Sequence, residues 1–360
     1  VPTRPAEWQP QASVYTAWPR LEDAWGPDLG PARGELAALA REIAAPRGQG
    51  AVAPEVLVLV GDPAARRSAE AAFDGEPGVT LLDAPYGDIW LRDIAPLFLG
   101  TDGDRAIAFG FNGWGGKYDL PGDQETAEAV AEHARVPWRR LDLVAEGGAL
   151  EVDGDGTLLT TRACLLGPTR NPGRTADEVA GILRSGLGVD RVVWLDGSLA
   201  NDHTDGHIDT LARFAAPGRV LHMRATDPGD PNRETLEGIA RQLGDVRDAQ
   251  GRRLELIPIP SPGAVPGGEG GTLLPASYLN FLVTNQRVLV PTYGVAADDA
   301  AIGAIAEAMP THEVIGLSAR ALLSGGGAFH CITQERPGDP GWPSLPASPE
   351  TERHDQPRAL

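Results

Sequence analysis

The sequence predicts an α/β protein in which a strand–strand–helix–strand unit repeats about five times and closes radially around a centre. Three observations carry this expectation. Short runs rich in Val, Leu and Ile, each bounded by Gly, Pro, Asp or Asn, read as strands. Helical patterns recur between them at irregular intervals of roughly 50 to 90 residues, each following strands and preceding another strand. No Gly-x-Gly-x-x-Gly follows the first strand, so a doubly wound dinucleotide fold loses its main support.

In chain order the predicted strands cover residues 56–60, 79–82, 105–111, 157–161, 191–195, 219–223, 254–257, 278–284, 287–290 and 314–317. The predicted helices cover 35–44, 124–134, 175–187, 233–243 and 298–308. The third opens with a capping box: Thr175 is placed to cap, and Glu178 follows three residues on. Residues 149–152 read as a run turning at Asp153-Gly154-Asp155-Gly156, which lacks the first aspartate and closing glutamate of a calcium loop and is read as a hairpin turn. Residues 1–336 are expected to form a single catalytic domain. Residues 337–360, rich in Pro, Ser and charge, are expected to be a loose tail, and 263–271 a flexible surface loop.

The chain has 360 residues, a formal charge of −19 and 42% apolar residues. That acidity argues against nucleic acid and anionic membrane as partners, and it suits a cationic substrate. No run approaches the ~20 apolar residues of a membrane span. Of 31 basic residues only Lys117 is lysine, a bias read as genomic. Two cysteines, Cys164 and Cys331, make neither a disulfide framework nor a metal spacing, so a cytoplasmic protein is expected, with a homo-oligomer left open.

Four constellations carry chemistry. Gly325, Gly326 and Gly327 precede His330-Cys331, so a thiol follows backbone stripped of side chains; a buried packing cysteine is the rival reading. Asp88, Trp90, Arg92 and Asp93 interrupt a run into Leu97-Phe98-Leu99, where charges cost energy unless they pair or face a polar cavity; pairing of Arg92 with Asp88 or Asp93 is the bland alternative. Glu146 stands before Gly147-Gly148. Asn201-Asp202-His203-Thr204-Asp205-Gly206-His207-Ile208-Asp209 is dense in titratable groups, and on an extended chain His207 and Asp209 would face one side as acid–base and charge partner. His203, His207 and Asp209 could instead hold a metal. A nucleophilic cysteine alone suggests acyl transfer, but carboxylate walls oppose an oxyanion and favour a cationic electrophile, of which a guanidinium is the common biological case.

Together the motifs resemble the agmatine deiminase family, related to the bacterial peptidyl-arginine deiminases. The resemblance runs from Glu7-Trp8 and Ala17-Trp18-Pro19 through Asp88-x-Trp90-x-Arg92-Asp93-x-x-Pro96 and Phe111-Asn112-Gly113-Trp114-Gly115. It continues with Glu146-Gly147-Gly148, Asn171-Pro172, Thr204-Asp205-Gly206-His207-x-Asp209 and Asn280-Phe281, and ends at Gly325-Gly326-Gly327-x-x-His330-Cys331-Ile332-Thr333-Gln334.

The resemblance implies a five-bladed α/β propeller (the pentein fold) with an acidic funnel. It also implies a hydrolase of linear amidines that forms a covalent amidino-cysteine. Cys331 would be the nucleophile and His207 the acid–base group. Asp93 and Asp209 would grip the guanidinium, Glu146 would hold His207, and Trp90 would wall the alkyl chain. Asp88, Asp202 or Asp205 would meet a distal ammonium, and Gly326 and Gly327 would make room for substrate. No metal or cofactor is implied. Deimination of peptidyl or free arginine, amidino transfer and metal-dependent hydrolysis are the alternative activities.

Overall fold

The computed structural model describes residues 2–46, 52–267 and 271–339. Among them the strands form four three-stranded sheets, one four-stranded sheet and one two-stranded ribbon. Each three-stranded sheet repeats one pattern: an antiparallel pair, then a parallel neighbour reached across a helix, as parallel pairing requires. Leu97–Leu99, Arg105–Gly110 and Trp138–Val144 form the first, crossed by helix Asp123–His133. Glu151–Val152, Thr157–Thr161 and Arg191–Leu195 form the second, with helix Ala176–Leu187. Ala212–Ala216, Arg219–Arg224 and Glu255–Pro260 follow with helix Arg233–Asp245. Leu282–Val283, Arg287–Thr292 and Glu313–Ser318 follow with helix Asp298–Ala308.

The remaining sheet joins the two ends of the described chain. Gln334–Pro337 runs antiparallel to Gln11–Ala17, with Tyr15 opposite Gln334. Gln11–Ala17 is parallel to Glu55–Val60 across helix Leu29–Ala44, and Glu55–Val60 to Val79–Asp83 across helix Pro63–Ala72. Burial explains the local choices. Five of the six residues in Glu55–Val60 are buried, which suits a near-continuous apolar strand, and Leu36, Leu39, Ala40 and Ile43 turn one stripe of their helix inward. The core forms two clusters, the smaller joining the sheets around Ile107, Leu143, Leu158 and Leu183. No described helix is long and apolar enough to cross a membrane.

Several expectations are corrected. Residues 278–284 are strand only at Leu282–Val283, because Ser277 and Asn280 lie in a turn, the Ser277 hydroxyl donating to the Thr210 carbonyl. Strands Gln11–Ala17, Trp138–Val144 and Ala212–Ala216 and helix Pro63–Ala72 were not anticipated. That helix buries only Ala65 and Ala69, so it lacks a legible stripe; its start is fixed by Asp62, whose carboxylate accepts from the backbone of Ala64 and Ala65. The Thr175–Glu178 capping box forms as expected. Of the loop 263–271, residues 268–270 lie outside the described residues, and Val265–Pro266 pairs with Leu273–Leu274. Residues 340–360 of the expected tail also lie outside them.

One regularity positions the chemistry. In each of the five sheets, the segment leading into the first strand carries polar residues that meet at one place. Asp93 precedes Leu97–Leu99, Glu146 precedes Glu151–Val152, and His207 and Asp209 precede Ala212–Ala216. Asn280 precedes Leu282–Val283, and Cys331 precedes Gln334–Pro337.

Candidate active site

Cys331 lies in a turn before its strand, not inside an apolar strand, and is buried. Asn280 organises that turn. Its Oδ1 accepts from the backbone N–H of Ala328 at 3.0 Å and of Cys331 at 3.3 Å, while its Nδ2 donates to Cys331 Sγ at 3.1 Å and to Asp209 Oδ2 at 3.2 Å. The glycines before the thiol have a specific reason. A Cβ on Gly327 would come within 2.8 Å of Cys331 Cβ and of the Trp90 indole, and one on Gly325 within 2.8 Å of both Trp25 and Trp90. Gly326 has φ +111°, a conformation closed to other residues. The room they leave is filled largely by indoles.

Asp209 and His207 reach the same place from a 3₁₀ turn, Ile208–Thr210, and not from an extended run. Asp209 Oδ2 lies 3.7 Å from Cys331 Sγ and 2.7 Å from His330 Nδ1, whose other ring nitrogen is 2.9 Å from Glu7 Oε2. His207 is fully buried, with Nδ1 3.8 Å from Asp93 Oδ1 and Nε2 3.7 Å from Glu146 Oε2. Asp93 is oriented by the Trp114 indole N–H at 2.8 Å and the Gly148 N–H at 3.0 Å. Glu146 is held through Oε1 by Arg170 Nε at 2.7 Å, with both side chains buried, and Cys164 Sγ lies 3.6 Å from its Oε2. Gly148 is required here: a Cβ would stand 2.5 Å from His207 Nδ1 and 3.0 Å from Asp93 Oδ1.

The electrostatics follow from this crowding. Burial, then Asp209 and Asp93, pushes the Cys331 thiol well above its ordinary range. Burial pushes Asp93 up to about 6, with His207 opposing and Glu146 and Asp209 reinforcing the rise. Burial alone would lower His207, but Asp93, then the neighbouring Cys164 and Glu146, outweigh it and hold the imidazole well above 6.5. Burial would raise Glu146 and Asp209; the close His207 imidazole and Arg170 hold Glu146, and the hydrogen bond to His330 with the nearby cations holds Asp209, below the usual range. Burial, then Glu146, pushes Cys164 up to about 11. Both nitrogens of His207 and Oδ1 of Asp209 are buried without a hydrogen-bond partner, as befits groups kept for a ligand.

The remaining residues are placed as follows. Arg92 pairs with neither nearby aspartate; it is buried against Glu335 at 2.7 Å and donates to the His330 carbonyl. Asp88 accepts from the indole N–H groups of Trp25 and Trp90, both at 3.1 Å, and the two rings stack. Asp202 caps its own loop, accepting from the Thr204 and Gly206 backbone, and Asp205 pairs with Lys117 and Arg170. His203 lies tilted against the Tyr118 ring, whose hydroxyl is 2.9 Å from its Nδ1. The described ligand atoms that converge are those of Glu146, Cys164 and His207, so the trio His203, His207 and Asp209 is not assembled. Sequence reasoning gave no role to Asn280, Trp114, Arg170, Cys164 or His330.

The sequence profile of the Porphyromonas-type peptidyl-arginine deiminases matches residues 3–337. The chain belongs to this family. Agmatine deiminases are among its relatives: that of Stutzerimonas stutzeri is 35% identical over 92% of this chain and 95% of its own length. Among solved structures, the agmatine deiminase of Enterococcus faecalis superposes with a TM-score of 0.86 at 29% identity, covering 93% of this chain and 95% of its own. A DDAH from Pseudomonas aeruginosa, solved with citrulline, shares the fold alone, with a TM-score of 0.52 at 14% identity. As a member of this deiminase family the chain is an enzyme, a hydrolase of amidine C–N bonds.

Proposed function

We propose that this enzyme hydrolyses agmatine to N-carbamoylputrescine and ammonia through a covalent amidino-cysteine on Cys331. The observation that carries the reading is the meeting of a thiol with two buried carboxylates and a histidine: Asp209 is 3.7 Å from Sγ, and Asp93 is 3.8 Å from His207. Asp93 and Asp209 take the guanidinium between them, and the arriving positive charge offsets the carboxylates that hold the thiol protonated. The thiol proton leaves to solvent and the thiolate attacks the guanidinium carbon. The His207 imidazolium then protonates the departing nitrogen, ammonia leaves, and a thiouronium remains. Neutral His207 takes a proton from water, whose oxygen displaces sulfur and leaves the ureido product. Glu146, fixed by Arg170, holds the imidazole through the cycle.

Agmatine is favoured over arginine by the state of the motif cations. Arg92 is buried against Glu335 and Lys117 is paired with Asp205, so neither is offered to an α-carboxylate. The alkyl chain is read to lie on Trp90, which Asp88 orients, and Asp202 and Asp205 shape the neighbouring loop. The five sheets are read as blades of a five-bladed α/β propeller within one catalytic domain. Incubation with agmatine and arginine separately, scoring ureido product and ammonia, tests the substrate. Turnover of arginine alone would overturn it, and an amidino adduct absent from the trapped His207→Ala variant would count against the covalent step.

A further inference from the structure

Cys164 is the buried thiol that this mechanism does not use. Its Sγ is 3.6 Å from Glu146 Oε2, and His207 Nε2 is 3.7 Å from the same oxygen. Ligand atoms of all three residues lie within 4.8 Å of one another, and all three side chains are buried. Zinc bonded at about 2.3 Å to sulfur and about 2.0–2.1 Å to nitrogen and oxygen sets tetrahedral ligand atoms roughly 3.3–3.6 Å apart, close to the 3.6 and 3.7 Å that separate Glu146 Oε2 from the sulfur and from the imidazole nitrogen. Two further observations point to a ligand. His207 Nε2 is buried with no hydrogen-bond partner. Arg170 occupies only Oε1 of Glu146, fixing the carboxylate from behind in the way outer-sphere groups orient metal ligands.

We propose that Cys164, His207 and Glu146 form an inhibitory site for a thiophilic divalent cation such as Zn²⁺ or Cd²⁺. The inhibition rests on the acid–base role read for His207; the binding does not. One ion enters and bonds to Sγ, Nε2 and Oε2, leaving a fourth position to water. The thiol proton and the imidazolium proton leave to solvent, so the net charge of the buried cluster is unchanged and no redox partner is needed. With Nε2 bonded to metal, the ring can no longer exchange the proton that catalysis requires. The site is a brake on the enzyme and supplies nothing to the reaction.

Cd²⁺ and Zn²⁺ titrations of the full chain, followed by the ultraviolet thiolate-to-Cd²⁺ charge-transfer absorbance and by ureido production, test the proposal. One Cd²⁺ per chain, a saturable band and a parallel loss of turnover reversed by chelation are expected. Cys331→Ser should keep the band, although it is inactive. Cys164→Ser and Cys164→Ala should lose it and keep turning over. Outer-sphere changes cost about 10–100-fold in metal affinity, so loss of a direct ligand should raise the half-inhibiting concentration by at least that much. A band that survives both Cys164 variants, one that vanishes in Cys331→Ser, or no stoichiometric binding would overturn the site. If wild-type turnover is absent, the catalytic reading fails while the absorbance still decides the metal site.

Discussion

Replacing Asp209 with Asn should make the thiol more reactive and the enzyme inactive. The carboxylate oxygen Oδ2 stands 3.7 Å from Cys331 Sγ. At an effective dielectric of about 20, two unit charges at that separation repel by about 4 kcal/mol, roughly a thousandfold in thiolate population. The amide keeps an oxygen to accept from Asn280 and His330, so the turn is retained. A less basic thiolate is also a weaker nucleophile, which returns part of the gain and leaves an alkylation rate on the order of fifty-fold faster. The assay is iodoacetamide labelling of substrate-free protein at one pH below the thiol titration, scored by the mass of the peptide carrying Cys331. Turnover of agmatine should collapse in the same preparation, because the guanidinium loses half of its grip. Labelling no faster than in the wild type would refute the claim that Asp209 holds the thiol protonated.

Gly148→Ala puts a methyl group 2.5 Å from His207 Nδ1; turnover should be lost with a destabilisation of about 1–3 kcal/mol, read by kinetics and a urea melt. Arg170→Gln breaks the buried ion pair and leaves His207 as the remaining cation beside Glu146, so unfolding free energy should drop by up to about 3–5 kcal/mol; a drop below 1 kcal/mol would show that His207 and water replace the guanidinium. Asp93, pushed up to about 6 by burial, must be ionised to bind a cation, so kcat/KM should fall as pH drops through about 6. The raised folded value also means that the folded state holds the Asp93 proton where the unfolded chain has released it. The Asp93→Asn variant should therefore gain stability relative to the wild type between about pH 4 and 6, and urea melts showing the opposite trend would contradict this.

The sequence made part of the site legible because chemistry there is written in unusual local composition. Cys331 follows three glycines, Glu146 precedes two, and His207 and Asp209 stand in a dense titratable run. What stayed hidden was partnership across long chain separations. Arg92 meets Glu335 and Asp88 meets Trp25, neither of which any local pattern announces. Asn280 resembles a turn residue, yet its amide joins Cys331 Sγ, Asp209 and two backbone donors. Arg170 reads as one of many loop arginines until Glu146 is placed beside it. For the fold, apolar runs such as Glu55–Val60 marked themselves, and the pseudo-repeat was visible from helix spacing. Trp138–Val144 escaped because three charged side chains break its apolar run.

The pairing of Gln334–Pro337 with Gln11–Ala17 sets the order in which activity can arise. The strand after Cys331 is among the last described segments to leave the ribosome, and its partner is among the first. Thr16 donates to the Ile332 carbonyl and Arg4 pairs with Glu335, so the same seam fixes the backbone next to Cys331. A contact of such sequence separation forms late, after the intervening sheets can hold the ends together. A nascent or nicked chain therefore carries the carboxylates and the histidine before it carries a positioned thiol. The turn that holds Cys331 is thus fixed only once Gln334–Pro337 has joined Gln11–Ala17.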